Sequence, residues 1–121
     1  GAMRKDLEDS LFEQHEKILG QCDYRELCIG YGWFVLVDTL CLGLQHLTDS
    51  GAGPQVRALQ VKQKFGELCF YAEGADYFQA GMIHMASLIS MRTCEVCGSP
   101  GERVEQQDHW RTLCPTHTAG S

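Results

Sequence analysis

Positively charged residues are scarce in this chain. Its 121 residues include 10 Lys and Arg against 16 Asp and Glu, which gives a formal net charge of −6 at pH 7. Non-specific nucleic-acid binding takes most of its free energy from basic side chains that displace counterions. The charge balance therefore argues against a broad phosphate-binding face, although a local basic patch stays open as an alternative.

Long apolar runs are also missing. A helix that crosses a bilayer needs about 20 predominantly apolar residues, and the sequence contains no such run. It also lacks a positively charged start followed by an apolar stretch and a small-residue cleavage site, the pattern of a secretion signal. We therefore expect a cytoplasmic protein.

Recognisable catalytic motifs are absent as well. The sequence has no nucleophile elbow, no P-loop, no dinucleotide-binding glycine fingerprint and no HExxH metalloprotease motif. We therefore expect a protein that is not an enzyme. A metal-dependent nuclease would need a second, open metal site that the sequence does not reveal.

Cysteine, in contrast, is abundant, with seven residues in the chain. In the cytosol thiols stay reduced, so cysteines there are more often metal ligands or buried thiols than disulfides. Cys22 and Cys28 could form half of a second metal site or a redox pair. Because no second matched pair accompanies them, we expect both to be partly buried thiols.

Four residues at matched spacings predict a metal site near the end of the chain. Cys94 and Cys97 form a C-x₂-C pair, and Cys114 and His117 form a C-x₂-H pair after sixteen intervening residues. Two ligands three residues apart can face one ion from a tight turn, so two such pairs complete a tetrahedron. The sequence therefore predicts one structural zinc ion at these four residues, with His109 as an alternative to His117.

Apolar periodicity predicts an α+β fold. Helical spacing covers residues 4–19 and 33–47, strand-type residues with a polar, glycine-containing reversal cover 55–72 as a β-hairpin, and a third helix runs from the cap at Asp76 to about residue 91. The third helix carries a stripe expected to face the core, formed by Phe78, Met82, Met85 and Ile89. Its methionines could instead line an adaptable binding groove.

The C-terminal segment is expected to form a treble-clef-like zinc knuckle and hairpin, in which Pro115 begins a helical turn. At this length one domain is the default. We therefore predict a single domain over residues 3–121, with a helical and hairpin core over 4–92 and a zinc-binding subdomain over 93–118.

Four further side chains are candidates for contacts with nucleic acid or with a partner protein: Lys62, Lys64, Phe65 and Trp110. Cationic and stacking groups on a hairpin can hold a nucleic-acid strand. The alternative is a solvated turn over a packed core, and nearby glutamates dilute the positive charge.

Three segments are distinctive when taken together: VKQKFGELCFY at 61–71, CEVCG at 94–98, and Leu113-Cys114 with His117. This combination resembles a family of small proteins encoded by phages and prophages of proteobacteria. It spans roughly residues 30–117. The resemblance implies expression inside an infected bacterium, and it transfers no activity.

The favoured functional hypothesis is a non-enzymatic phage accessory protein that binds and modulates a host protein, with anti-defence inhibition of the anti-CRISPR type as the candidate role. It is an analogy from the resemblance and not from individual residues. The alternative is a zinc-dependent regulator that binds DNA or RNA. A homodimer is also compatible with the sequence.

Overall fold

The computed structural model describes residues 3–120, so Ser121, the last residue of the predicted domain, lies outside the described residues. The fold class is α+β, as predicted: helices pack around a small sheet, and a Cys/His cluster lies beside the C-terminal strands. The elements in chain order are α1 (Lys5–Gln14), α2 (Glu16–Leu19), β1 (Leu27–Cys28), α3 (Phe34–Asp49), β2 (Arg57–Lys64), β3 (Glu67–Glu73), α4 (Tyr77–Ser90), β4 (Glu102–Gln106), β5 (His109–Leu113) and α5 (Pro115–Gly120), with single 3₁₀ turns at Asp23–Arg25 and Tyr31–Trp33.

The first predicted helix, residues 4–19, is interrupted at His15. The backbone there has φ −122° and ψ 39°, outside the helical region. The His15 side chain is buried, and its Nε2 atom lies 2.7 Å from Oδ1 of Asp38 on α3. The break lets α1 and α2 both direct apolar side chains, among them Leu11 and Ile18, into the core. His15 and Asp38 are 23 residues apart, so the local pattern of apolar residues could not predict this contact.

The segment between the first two predicted helices contributes a third strand. Leu27 and Cys28 of β1 pair in parallel with Val61 and Lys62 of β2, so the sheet order is β1-β2-β3. A two-residue strand has no alternation of its own, and a parallel pair depends on a partner far along the chain. The sequence pattern therefore predicted the hairpin alone.

The predicted hairpin is formed by β2 and β3. They are joined by Phe65 and Gly66, whose φ angles of 56° and 80° are those of a two-residue type I′ turn. Leu68 and Phe70 face the core, and Tyr71 lies on the exposed outer face. The side chains of β3 therefore alternate between the core and the outer face.

Helix α4 begins at the predicted capping box. The backbone N–H of Gln79 donates to Asp76 Oδ1 at 2.8 Å, and the N–H of Asp76 donates to Gln79 Oε1 at 3.0 Å. The predicted core stripe is wrong for Phe78, Met85 and Ile89, which are exposed. A helix that is apolar almost all round gives no clear inner face, so the pattern could not select the correct side.

The helices α1 to α4 and the three-stranded sheet share one hydrophobic core. It contains Trp33, the largest fully buried side chain, whose Nε1–H donates to the carbonyl of Thr93 at 2.9 Å. A second, much smaller cluster consists of Cys94, Leu113 and Cys114. Among the described residues, no helix has the length and apolar character needed to cross a membrane.

Candidate metal centre and the groove beside it

The structure brings the four predicted ligands together. The ligand atoms of Cys94, Cys97, Cys114 and His117 all lie within 4.8 Å of one another. Nδ1 of His117 is 3.6 Å from Sγ of Cys94 and 3.3 Å from Sγ of Cys114, and the Sγ atoms of Cys97 and Cys114 are 3.7 Å apart. These four groups could hold one metal ion.

The first ligand pair lies in a tight turn. The N–H of Gly98 donates to the carbonyl of Cys94 at 2.8 Å, and the N–H of Cys94 donates to the carbonyl of Ser99 at 2.7 Å. Gly98 adopts φ 84°, a conformation that favours glycine. This geometry brings the side chains of Cys94 and Cys97 to the same side of the turn.

The second ligand pair lies at the start of α5. Pro115 is the first residue of that helix, as predicted. Both the backbone N–H and the hydroxyl of Thr118 donate to the carbonyl of Cys114 at 2.9 Å. The helical turn therefore brings Cys114 and His117, three residues apart, to one side.

The surroundings of the thiols differ. Hydrogen bonds from the hydroxyl and the N–H of Ser99 lower the pKa of Cys97 to about 7. Burial raises the pKa of Cys94, but three backbone N–H groups from the two ligand loops outweigh it, so the net shift is downward. The N–H of His117 lowers the pKa of Cys114, but burial and the neighbouring thiols reverse this effect and raise it. Metals bind thiolates, so the lowered pKa values of Cys94 and Cys97 favour the form that can bind a cation.

Glu95, which lies between the first two ligands, ties this centre to the sheet. Its buried carboxylate accepts hydrogen bonds from Arg111 Nε at 2.8 Å, from the N–H of Thr112 at 3.2 Å and from Gln63 Nε2 at 3.1 Å. Its own backbone N–H donates to the carbonyl of Thr112, and its carbonyl accepts from the N–H of Gly32. Sequence reasoning missed this role, because a glutamate in a C-x₂-C loop carries no local sign of the partners that fold against it.

Two further hydrogen bonds join the turn of the β2–β3 hairpin to the β4–β5 hairpin. The buried hydroxyl of Thr112 donates to the carbonyl of Gly66 at 2.6 Å, and Nε of Arg103 donates to the carbonyl of Phe65 at 3.0 Å. The backbone of Gly66 also approaches Arg111 so closely that a Cβ atom would lie 3.2 Å from backbone of that residue. The two hairpins are therefore held side by side.

An open groove of about 910 Å³ lies between the two hairpins. It is lined by Gln63, Lys64 and Phe65 from the first hairpin and by residues 106–111 from the second. The guanidinium of Arg103 lies 5.2 Å from the ring centroid of Trp110, and the Lys64 ammonium lies 5.8 Å from that of Phe65. The groove thus combines aromatic rings with cations.

Three of the four predicted contact residues line this groove, namely Lys64, Phe65 and Trp110. Lys62 does not line it, because its ammonium lies over the ring of Tyr71 at 5.7 Å, on the outer face of the sheet. Two lysines that are equivalent in the sequence therefore have different surroundings.

Strained backbone is concentrated along this surface. Among the described residues, five non-glycine residues have positive φ: Tyr24, Arg25, Phe65, Gln107 and Asp108. The last three line the groove, and the first two line an adjoining cleft that shares Gln63 and Arg111 with it. Such conformations cost free energy and occur preferentially at functional sites.

The remaining candidates do not join the metal centre. His109 lines the groove and is not part of the four-residue group, so the preference for His117 agrees with the geometry. Cys22 is buried and lies near the carbonyl of Ala58. Cys28 is exposed beside Glu26, so the expectation of a partly buried thiol is wrong for Cys28. Within residues 3–119, no second group of three or more metal-binding side chains is brought together.

Comparison with known proteins gave no match to a protein-family model, to a curated protein or to a solved structure. The resemblance to phage-encoded proteins therefore stays a prediction. The segments that carry it, 61–71 and 94–98, contact each other through Gln63 and Glu95.

Proposed function

We propose that the four ligands bind one structural zinc ion. In a tetrahedral site with Zn–S of about 2.3 Å and Zn–N of about 2.0 Å, the S···S edges measure about 3.8 Å and the S···N edges about 3.5 Å. The distances between Cys97 and Cys114, 3.7 Å, and from His117 to Cys94 and Cys114, 3.6 and 3.3 Å, agree with these edges to within a few tenths of an ångström. Thiolate and imidazole in tetrahedral geometry are the donors that zinc prefers.

The proposed role of the zinc is structural and not catalytic. Four protein ligands close the coordination sphere, whereas a catalytic zinc keeps a position for water. The buried cluster of this module contains only Cys94, Leu113 and Cys114, with Val96 and Val104 packed against it. So small a core needs additional folding free energy, and structural zinc supplies on the order of 10 kcal/mol in isolated modules.

Metal content tests this part of the proposal. Protein purified without chelators and measured by inductively coupled plasma mass spectrometry should contain one zinc per chain. Replacement by Co²⁺ should give the visible absorption of a tetrahedral thiolate site, and Cys114→Ser should lose both signals. A stoichiometry near zero under zinc-replete expression would contradict it.

We further propose that the protein is a non-enzymatic accessory protein whose groove binds a partner protein. The carrying observation is that Phe65 and Trp110 line the groove between the two hairpins and that Arg103 contacts both of them. Tryptophan and arginine are enriched among the residues that dominate binding energies at protein interfaces. Hydrogen bonds from Arg103 and Thr112 to the turn of the first hairpin hold the two hairpins together before binding, which reduces the entropic cost of association.

The lining of the groove suggests an anionic segment of the partner. The charged side chains among the lining residues are Lys64, Asp108 and Arg111, of which Arg111 is paired with the buried carboxylate of Glu95, in a chain whose net charge is −6. The groove is therefore more positive than the protein as a whole. An acidic segment would be attracted to it and repelled elsewhere. With the resemblance to phage proteins, the proposed partner is a host protein inside the bacterium, and anti-defence inhibition is the role such binding would serve.

A pull-down from bacterial lysate tests the groove. Tagged, zinc-loaded protein is compared with Lys64→Glu and Trp110→Ala, and retained proteins are identified by mass spectrometry before and after nuclease treatment. Lys62→Glu is the matched control, since it makes the same change two residues away on the same strand. We expect a stoichiometric protein that survives nuclease, is lost with both groove variants and is retained by the control. Equal retention by all three variants would contradict the proposal.

Single-stranded nucleic acid in the same groove is a second candidate. It is favoured by two exposed rings on which bases could stack, Phe65 with the Lys64 ammonium beside it and Trp110 with the Arg103 guanidinium beside it. Affinity for a labelled oligonucleotide should then fall steeply as salt is raised and should fall again in Lys64→Glu. Salt-insensitive or undetectable binding would remove this candidate.

A further inference from the structure

Helix α4 has an outer surface that is unusual for a helix of a protein in water. Its 14 residues include no Asp, Glu, Lys or Arg. Five large apolar side chains are exposed along it: Tyr77, Phe78, Met85, Leu88 and Ile89. Tyr77 is 98% exposed and Phe78 is 69% exposed. The outer face of a surface helix is normally polar or charged, so the outer surface of α4 has the character of a contact surface.

Helix α3 extends this apolar surface. Val35 and Leu42 are 71% and 56% exposed. Val35 and Ile89 line one shallow cleft, which shows that the exposed parts of the two helices adjoin. We call the five α4 side chains together with Val35 and Leu42 the α4 face. These seven side chains together present on the order of 800 Å² to solvent, about the area that each partner contributes to a standard interface.

We infer that the α4 face is the contact surface of a symmetric homodimer. Two copies that each carry a net charge of −6 repel one another, and the α4 face is a place where they can meet without opposing like charges. A symmetric dimer brings the same patch of both copies together, so each copy's uncharged apolar patch is covered by that of the other. A second copy is also present whenever the chain is made, so it can cover the surface at all times.

The position of Gly81 supports close packing of two α4 helices. By helical spacing, Gly81 lies between Tyr77, His84, Met85 and Leu88, in the middle of the exposed side. A Cβ atom placed on Gly81 would meet nothing within 4 Å. The missing side chain therefore leaves room in which a helix from the second copy can approach.

A lipid surface fits this face less well than a second copy does. Helices that lie in a membrane interface usually carry lysine and arginine along their polar side, which attract anionic lipids. Helix α4 carries neither residue, and the chain is acidic. The α4 face shares no residue with the proposed binding groove, so the two surfaces can be tested independently.

Sedimentation equilibrium of the zinc-loaded full chain tests the inference. The wild-type protein should have twice the 13.5 kDa mass of one chain at micromolar concentration. Met85→Glu should weaken the dimer by about 100-fold or more, because it places a carboxylate in the apolar contact. Tyr24→Glu is the control, because it adds the same charge at an exposed aromatic side chain away from this face and should leave the dimer intact.

Gly81→Leu provides a second variant in case Met85→Glu fails to fold. In the single chain a Cβ atom at this position meets nothing within 4 Å, and leucine has a higher helix propensity than glycine, so the fold should tolerate the change. In the dimer it would occupy the space needed by the second helix. Circular dichroism and zinc content should match the wild-type protein in this variant.

A wild-type protein that is monomeric at about 100 μM would overturn the inference. This holds even if the monomer binds phosphatidylcholine vesicles in a flotation assay or binds a different protein through this face. A dimer that persists in both folded variants would also overturn it, because the contact would then lie elsewhere. Loss of the dimer in Gly81→Leu, with retention in Tyr24→Glu, is the supporting result.

Discussion

Replacing Glu95 by glutamine removes one charge at the junction of the metal centre and the sheet while keeping the side-chain shape. Both carboxylate oxygens of Glu95 accept hydrogen bonds, Oε1 from Arg111 Nε and Oε2 from the N–H of Thr112, and Gln63 donates to both. A glutamine has one oxygen and one NH₂ group. In either orientation its NH₂ group therefore faces a donor, either Arg111 or Thr112.

The cost of this change follows from those contacts. A hydrogen bond to a charged group contributes about 1.5–3 kcal/mol, and a buried donor left without an acceptor costs about 1–3 kcal/mol. The Arg111 side chain is 26% exposed, so water replaces part of what it loses, whereas Thr112 is fully buried. We expect Glu95→Gln to lower the free energy of unfolding by about 2–4 kcal/mol, a large part of the roughly 5–15 kcal/mol of a typical domain.

The measurement is thermal and urea unfolding, followed by circular dichroism at the same saturating free zinc concentration for each variant, since bound metal adds to stability. The melting temperature should fall by about 10 °C. Glu105→Gln is the control, because Glu105 lies exposed on β4, and its change should stay within about 0.5 kcal/mol. A Glu95→Gln protein as stable as this control would refute the view that Glu95 joins the metal centre to the sheet.

Three further predictions concern the metal, a glycine contact and the thiols. Chelation should unfold residues 93–118 and expose them to protease, while the main core keeps its helical signal; unchanged protease resistance would contradict the proposed structural role. Gly32→Ala should destabilise the protein by more than about 3 kcal/mol, because its Cβ would lie 2.0 Å from a backbone oxygen of the metal-binding turn. Gly43→Ala meets only a flexible methionine methyl group and should cost less, which unfolding of both variants can check. Burial raises the pKa of Cys22 to about 11, and burial with Glu26 raises that of Cys28. Thiolate is the reactive form, so iodoacetamide labelling of exposed Cys28 should increase above pH 9, while buried Cys22 should react only on unfolding; equal labelling of both at pH 8 would be the opposite result.

Local sequence signals were sufficient where a feature depends on residues close together in the chain. The two ligand pairs are such a case, because each C-x₂-C or C-x₂-H unit is formed within one turn. The capping box of Asp76 and Gln79 and the alternation of β3 are others. In each of these, the contacts that create the element are those that its own residues make with one another.

Features that join distant segments were decided by the tertiary structure. The helix break at His15 follows from its contact with Asp38, and the role of Glu95 follows from donors on two different hairpins. The sequence offered Lys62 and Lys64 as equals, and only the packing of the β4–β5 hairpin beside β2 separates them.

Helix α4 shows the same division within one element. Its lack of charge, and its start at the capping box, can be read from the residues alone. The side of α4 that enters the core cannot be predicted from the residues, because apolar side chains surround the helix and several orientations would bury similar area. The packing of α4 against β3 and α3 buries Ala86 and leaves Phe78 and Met85 in solvent. The sequence by itself thus determined the candidate metal ligands and most of the elements, and the tertiary structure decided which surfaces remain available for binding, since exposure depends on contacts between segments far apart in the chain.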